Sequence, residues 1–147
     1  MIRHSPLYVS VLFLLLLLLP ILFLALSLRL ASEVVFAQGN LHVAVFFDPF
    51  NQKYHFLLGT MYLQEGKIAP ARYHLEKALK TFPTDQRALN NLALLHASQG
   101  ELGKARVLAL RAHLIDLNNE MIWNNYKRFR EVDEEIRLDK KGKKGER

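Results

Sequence analysis

Two consecutive stretches decide how this chain reads: residues 52–85, QKYHFLLGTMYLQEGKIAPARYHLEKALKTFPTD, and residues 86–119, QRALNNLALLHASQGELGKARVLALRAHLIDLNN. Laid over one another at a shift of 34 residues, they place Gly66 on Gly100, Leu58 on Leu92, Ala71 on Ala105, Ala78 on Ala112 and Leu63 on Ala97. The next shift puts Leu89 on Trp123. A single helical bundle has no need of such coincidences, whereas a repeated helical hairpin produces them. Each unit reads as two helices joined at a glycine, over 52–64 and 69–80 in the first and over 85–98 and 102–114 in the second.

The residue types fit that reading. Tyr54, Leu58, Met61 and Tyr62 share one helical face, as do Leu89, Leu92, Ala93 and His96. Ala71, Leu75, Ala78 and Leu79 line the second helix of the first unit, and Ala105, Leu108, Ala109 and Ala112 that of the second. Alanine recurs where close helix approach leaves room for a methyl group only. Gly66 and Gly100 follow the first helix of each pair, the usual place of a left-handed cap residue. Pro70 falls near a helix start, where its missing N–H is harmless.

This pattern resembles the tetratricopeptide repeat family. The first unit matches through Leu58-Gly59, Tyr62, Gly66, Ala71, Leu75, Ala78 and Pro83, and the second through Asn91-Leu92-Ala93, Gly100, Ala105, Ala109 and Ala112. The second unit departs at His96, where the family has an aromatic tyrosine, and at Leu117, where it has proline. Trp123 to Tyr126 resembles the opening of a third unit, which makes 120–136 the capping helix. Backwards, the register puts Pro49 before Pro83, and Ala37, Leu41 and Ala44 before Ala71, Leu75 and Ala78. Residues 33–47 therefore read as the second helix of an incomplete repeat within 31–51, although Gly39 and the apolar run Val43 to Phe47 also suit a strand or a membrane-proximal segment.

Upstream of the repeats, residues 7–28 contain no charged side chain. As a helix these residues extend roughly 33 Å, enough to cross a hydrocarbon core of about 30 Å. Residues 1–30 are expected to be a single transmembrane anchor, with Pro20 inside the span and Tyr8 and Arg29 near its ends. A cleaved signal peptide is the rival, ending at Val35-Phe36-Ala37, but the apolar run is longer than the usual signal core. Arg3 and the amino terminus before the span, against Arg29 alone after it, lean towards a cytoplasmic N-terminus and a soluble domain outside, periplasmic or extracytoplasmic.

The chain has 147 residues and a net charge of +6. From 30 to 136 there are 12 basic and 12 acidic residues, so the body is neutral, while 137–147 has six basic and two acidic, a net +4, and is expected to be a basic disordered tail through Lys140, Lys141, Lys143, Lys144 and Arg147. That tail is the place for contact with anionic lipid, and nucleic acid is a weaker prospect. With no cysteine, disulfide scaffolds and thiolate chemistry are excluded. His4, His42, His55, His74, His96 and His113 show no metal-ligand spacing, and no G-x-S-x-G or phosphate loop is present. Asp133, Glu134 and Glu135 point in successive directions on a helix and, with Arg128 and Arg130, read as a solvated face. His96 is read as a hydrogen-bonded structural residue. No enzyme, cofactor or metal is expected.

The fold class that follows is all-α: an N-terminal transmembrane helix, then a short tetratricopeptide-like helical-hairpin solenoid over 52–119 with a C-terminal capping helix. The resemblance implies that first helices line a concave, partner-binding groove. Here that means Lys53, Phe56, Thr60, Leu63 and Gln64, then Arg87, Asn90, Asn91, Leu94 and Ser98, with Asn124 and Arg128 from the cap. Family members that clamp a peptide carboxylate use a lysine and asparagine set, from which Phe56 and Asn90 depart. Asn91 and Asn125 occupy equivalent positions, suited to a peptide backbone or to bonds between adjacent helices. The expected function is a membrane-anchored interaction module, an assembly factor or small accessory subunit of a membrane protein complex. Two readings stand beside it: a charge-driven membrane-surface or nucleic-acid adaptor using the tail, and a secreted binding module released by signal cleavage.

Overall fold

The computed structural model describes residues 6–145 and is all-helical among them. Its helices are α1 (Pro6–Ala37), α2 (Leu41–Phe47), α3 (Gln52–Gln64), α4 (Ile68–Thr81), α5 (Gln86–Ser98), α6 (Leu102–Ile115) and α7 (Glu120–Gly145). Arg3, His4, Ser5 and Arg147 lie outside the described residues, as do the side chains of Tyr8 and Lys144. The chain divides into two compact units, Met1–Pro49 and Phe50–Arg147.

In the second unit the 34-residue period is visible as chemistry. Helices α3, α5 and α7 begin at 52, 86 and 120, and each is preceded by a short polar side chain that accepts backbone N–H groups. Asn51 accepts from Tyr54, Asp85 from Arg87 and Ala88, and Asn119 from Ile122. These caps satisfy donors that a helix start otherwise leaves unpaired. Gln52 and Gln86, the residues after two of the caps, donate to Asp85 and Asp116 and so join the start of each repeat to its end. At the other end of α3 and α5, Gly66 and Gly100 take φ +71° and +76°, a region costly for side chains with a Cβ.

The core is built on small residues where helices cross and leucine between them. Ala71, Ala78, Ala88, Ala93, Ala105, Ala109 and Ala112 have no exposed surface. A Cβ on Gly59 would lie 2.7 Å from Leu75 Cγ and 3.0 Å from its backbone nitrogen, so α3 and α4 meet at a distance only glycine permits. Leu58, Leu75, Leu89, Leu95 and Ile122 fill the space between, each contributing roughly 1.5–3 kcal/mol by leaving water. Helix α5 carries seven buried residues and sits at the centre. Phe129 of α7 closes the far side against Ala93, Ala105 and Ala109, with Tyr126 packed beside it.

The first unit repeats the same turn. Gly39 has φ +81°, its N–H bonds to the Phe36 carbonyl, and the Asn40 N–H bonds to the Val35 carbonyl. Gly66 and Lys67, and Gly100 and Glu101, make the corresponding bonds to Leu63 and Tyr62, and to Ala97 and His96. Helix α2 ends at Phe47 as α4 ends at Thr81 and α6 at Ile115, each 34 residues apart. The following N–H bonds in turn to Ala44, Ala78 and Ala112, all fully buried. But α2 has 7 residues where α4 and α6 have 14. The missing seven are two turns of helix, which preserves the buried face. Counted from the turn, Ser32 corresponds to Gly59 and Ala93, and all three are buried.

Two expectations need correction. Residues 33–47 are not one helix: α1 runs unbroken through Pro20 to Ala37, and Gly39 reverses the chain in the middle of the expected segment. Nor does the chain leave helix at residue 137. Helix α7 continues to Gly145, because Arg, Lys and Leu favour it and i,i+4 pairs such as Arg137–Asp133 (3.2 Å) and Lys143–Asp139 (2.7 Å) support it.

Candidate interaction surface

Helices α3, α5 and α7 stand side by side through polar bonds between them. Asn91 Nδ2 donates to Thr60 Oγ1 at 2.9 Å, and Thr60 donates to the Phe56 carbonyl. Asn125 Nδ2 donates to Asn90 Oδ1 at 3.0 Å. The asparagines thus join adjacent helices. Asn90 is 2% exposed and offers a partner no surface, which corrects its place among the groove residues. Position 90 lies only 100° of helix from Asn91, and that rotation is enough to turn it inward.

The other groove residues divide by exposure. Lys53, Gln64, Arg87, Ser98, Asn124 and Arg128 are exposed, while Phe56, Thr60, Leu63, Asn91 and Leu94 are half-buried. Leu63 and Leu94 brace the core as much as they face outward, and Ser98 donates to the Leu95 carbonyl. Phe56 and Arg87 come together: the guanidinium lies 4.6 Å from the ring centre and its Nε 3.7 Å from Asp85. Such stacking is worth about 0.5–1 kcal/mol at an exposed site, and it holds a cation and an aromatic ring ready on one surface. Arg128 lies near Phe129 on α7.

Away from this face several polar side chains pair with one another. His96 Nδ1 meets Glu101, and that bond, with Lys104 next, holds the Glu101 carboxyl below the usual carboxylate range. Glu65 raises Lys67 above the ordinary lysine value. His55 and His74 pair Nδ1 to Nδ1 at 2.9 Å, with Tyr62 stacked on His74. His113 packs on Trp123, which stacks on Tyr126. Asp133 is not on a solvated face. It is 8% exposed and lies 3.6 Å from Arg106 of α6 and 3.2 Å from Arg137, so it docks the capping helix. An arginine from another helix is invisible in the run of three carboxylates. Among the described residues no group of three His, Cys, Asp or Glu could hold a metal. A shallow depression of about 490 Å³ lies on the opposite side, lined by α4 residues such as Arg72 and Tyr73 and by Gln99.

The family model of the tetratricopeptide repeat matches residues 56–120. Those residues are tetratricopeptide repeats. No curated protein matches the chain. Among solved structures, the first TPR of Spaghetti (RPAP3) bound to the HSP90 peptide SRMEEVD is similar at TM-score 0.57 and 19% identity, over 74% of this chain and 92% of that one. The first TPR domain of human RPAP3, solved by NMR, is similar at TM-score 0.58 and 18% identity, over 74% and 91%. At that identity the likeness establishes the fold. Tetratricopeptide repeats form protein–protein interaction modules, and α3, α5 and α7 supply the first-helix face here.

Proposed function

We propose that this protein is a membrane-anchored interaction module that holds another membrane protein, or a protein complex, beside the bilayer. Its role is that of an assembly factor or small accessory subunit. The observation that carries the reading is helix α1: every described side chain from Ser10 to Leu30 is exposed, and the run is uncharged up to Arg29. A helix apolar on all sides with nothing packed on it has hydrocarbon as its natural solvent. The same helix continues without a break into the α1–α2 hairpin. Cleavage after Ala37 would strip α2 of the helix it packs against, which favours a retained anchor over a secreted form. The Arg3 and Arg29 flanks favour a cytoplasmic N-terminus with the repeats outside. The partner is a protein surface or extended peptide that offers carboxylate and apolar groups to Arg87, Phe56, Lys53 and Arg128, with the basic end of α7 on anionic lipid.

The test is purification of the full-length chain from its native membranes in a mild detergent, at natural abundance, with lysine-reactive cross-linking. Membrane proteins recovered in fixed ratio and cross-linked to Lys53 are the expected result. A chain that retains residues 1–37 by intact mass yet purifies alone, while known membrane complexes survive, contradicts the proposal.

A further inference from the structure

We infer that the exposed face of α2, Val43 and Phe46, seats in the interfacial layer of the bilayer beside the point where α1 emerges. This rests on the reading of α1 as a membrane span. The turn at Gly39 is the hairpin turn of the full repeats, so α2 runs back along α1. Counting from the turn, Phe46 lies at about the level of Ser32, one helical turn beyond Leu28, where the uncharged run ends. At 1.5 Å per residue that is about 6 Å, within the headgroup layer that flanks the hydrocarbon core. A second helix of full length would not stop there. Shortening by two turns ends α2 at the level where an apolar end is an advantage.

The composition of α2 points the same way. In register with Val43 and Phe46, α4 carries Lys77 and Lys80, and α6 carries Arg111 and Leu114. Helix α2, LHVAVFF, carries no Asp, Glu, Lys or Arg at all. Phe46 is 80% exposed, and Val34 and Leu30 of α1, also exposed, continue the apolar surface towards the span. Of the three second helices only α2 is apolar at both of these positions, and aromatic rings collect at membrane–water interfaces. The consequence is a second grip on the bilayer, which sets the tilt of the hairpin instead of leaving the anchor free to swivel.

The chain has no cysteine, so single thiols can be placed at will. Full-length Phe46→Cys, Val43→Cys (which keeps Phe46), Leu16→Cys and Thr84→Cys, each carrying a nitroxide, are reconstituted in phosphatidylcholine–phosphatidylglycerol nanodiscs. Their collision rates with oxygen and with a water-soluble nickel chelate are compared. The expected oxygen-to-nickel ratio is highest at Leu16, lowest at Thr84, and several-fold above Thr84 at both 43 and 46. Leu16 in lipid with 43 and 46 equal to Thr84 overturns the seating of α2 and leaves the anchor standing. Leu16 equal to Thr84 overturns both.

Discussion

The hairpins α3–α4 and α5–α6 and the shorter hairpin α1–α2 share a turn and a buried alanine, yet differ in everything that faces outward. Gly39, Gly66 and Gly100 make the same backbone bonds, and Ala44, Ala78 and Ala112 are equally enclosed. The long hairpins carry charge on their second helices, whereas α2, the second helix of the short one, has no Asp, Glu, Lys or Arg. Backbone turns and helix crossings define the repeat, whereas outer residues answer to the solvent each unit meets. Four substitution experiments probe that comparison, read through denaturant unfolding and amide exchange of the full chain in nanodiscs. The one tryptophan, Trp123, stacked on Tyr126 and His113, reports on the second unit.

The largest effect is expected at Leu75, which is fully buried and packs against Gly59 where α3 and α4 meet. Leu75→Ala should lower stability by about 2–5 kcal/mol, and a loss under 1 kcal/mol would mean the crossing is looser than its geometry. Next come the three equivalent alanines. Ala78→Leu and Ala112→Leu should each lose about 1–3 kcal/mol through overpacking. If the short hairpin is a true repeat unit, Ala44→Leu disturbs it as well, seen as faster amide exchange through α2. No change at Ala44 would break the equivalence.

Smaller effects follow at the turns. Alanine at Gly66 or Gly100 must adopt positive φ at a cost of roughly 1–2 kcal/mol, partly offset by a less flexible unfolded chain. Gly39→Ala should speed exchange at the α1–α2 turn without shifting the Trp123 transition. The smallest effect concerns pH. The Glu101 carboxyl is held low by His96 and then Lys104, so its contribution is complete above the ordinary carboxylate range and fades as pH falls through its folded value. Glu101→Gln should flatten the stability profile in that acid window and leave the profile near neutrality parallel to the parent.

How much of this was legible in the sequence depends on which register is counted. The shift of 34 that aligns Gly66 with Gly100 locates α3 to α6 to within a residue or so, because turn glycines and crossing alanines are dictated by backbone sterics. The same shift finds Ala44 and the end of α2 but slides past Gly39, since two turns are missing between them. A count of 27 from Gly39 to Gly66 would have recovered the hairpin. The residues expected along the groove all lie on α3, α5 or α7. The pattern could not separate buried Asn90 from half-buried Asn91, nor foresee that Asn125 and Thr60 are their partners. Asp133 escaped for a similar reason: Arg106 reaches it from a helix 27 residues away in sequence.

The interaction reading itself turns on one face of the second unit. The direct measurement replaces Arg87, and in a parallel chain Tyr73 on the opposite side, with a photo-cross-linking amino acid, followed by irradiation of native membranes. Discrete adducts with the same membrane partner from position 87, and none from 73, are the expected result. Adducts from position 73 with none from 87 would contradict it and move the binding surface to the second helices.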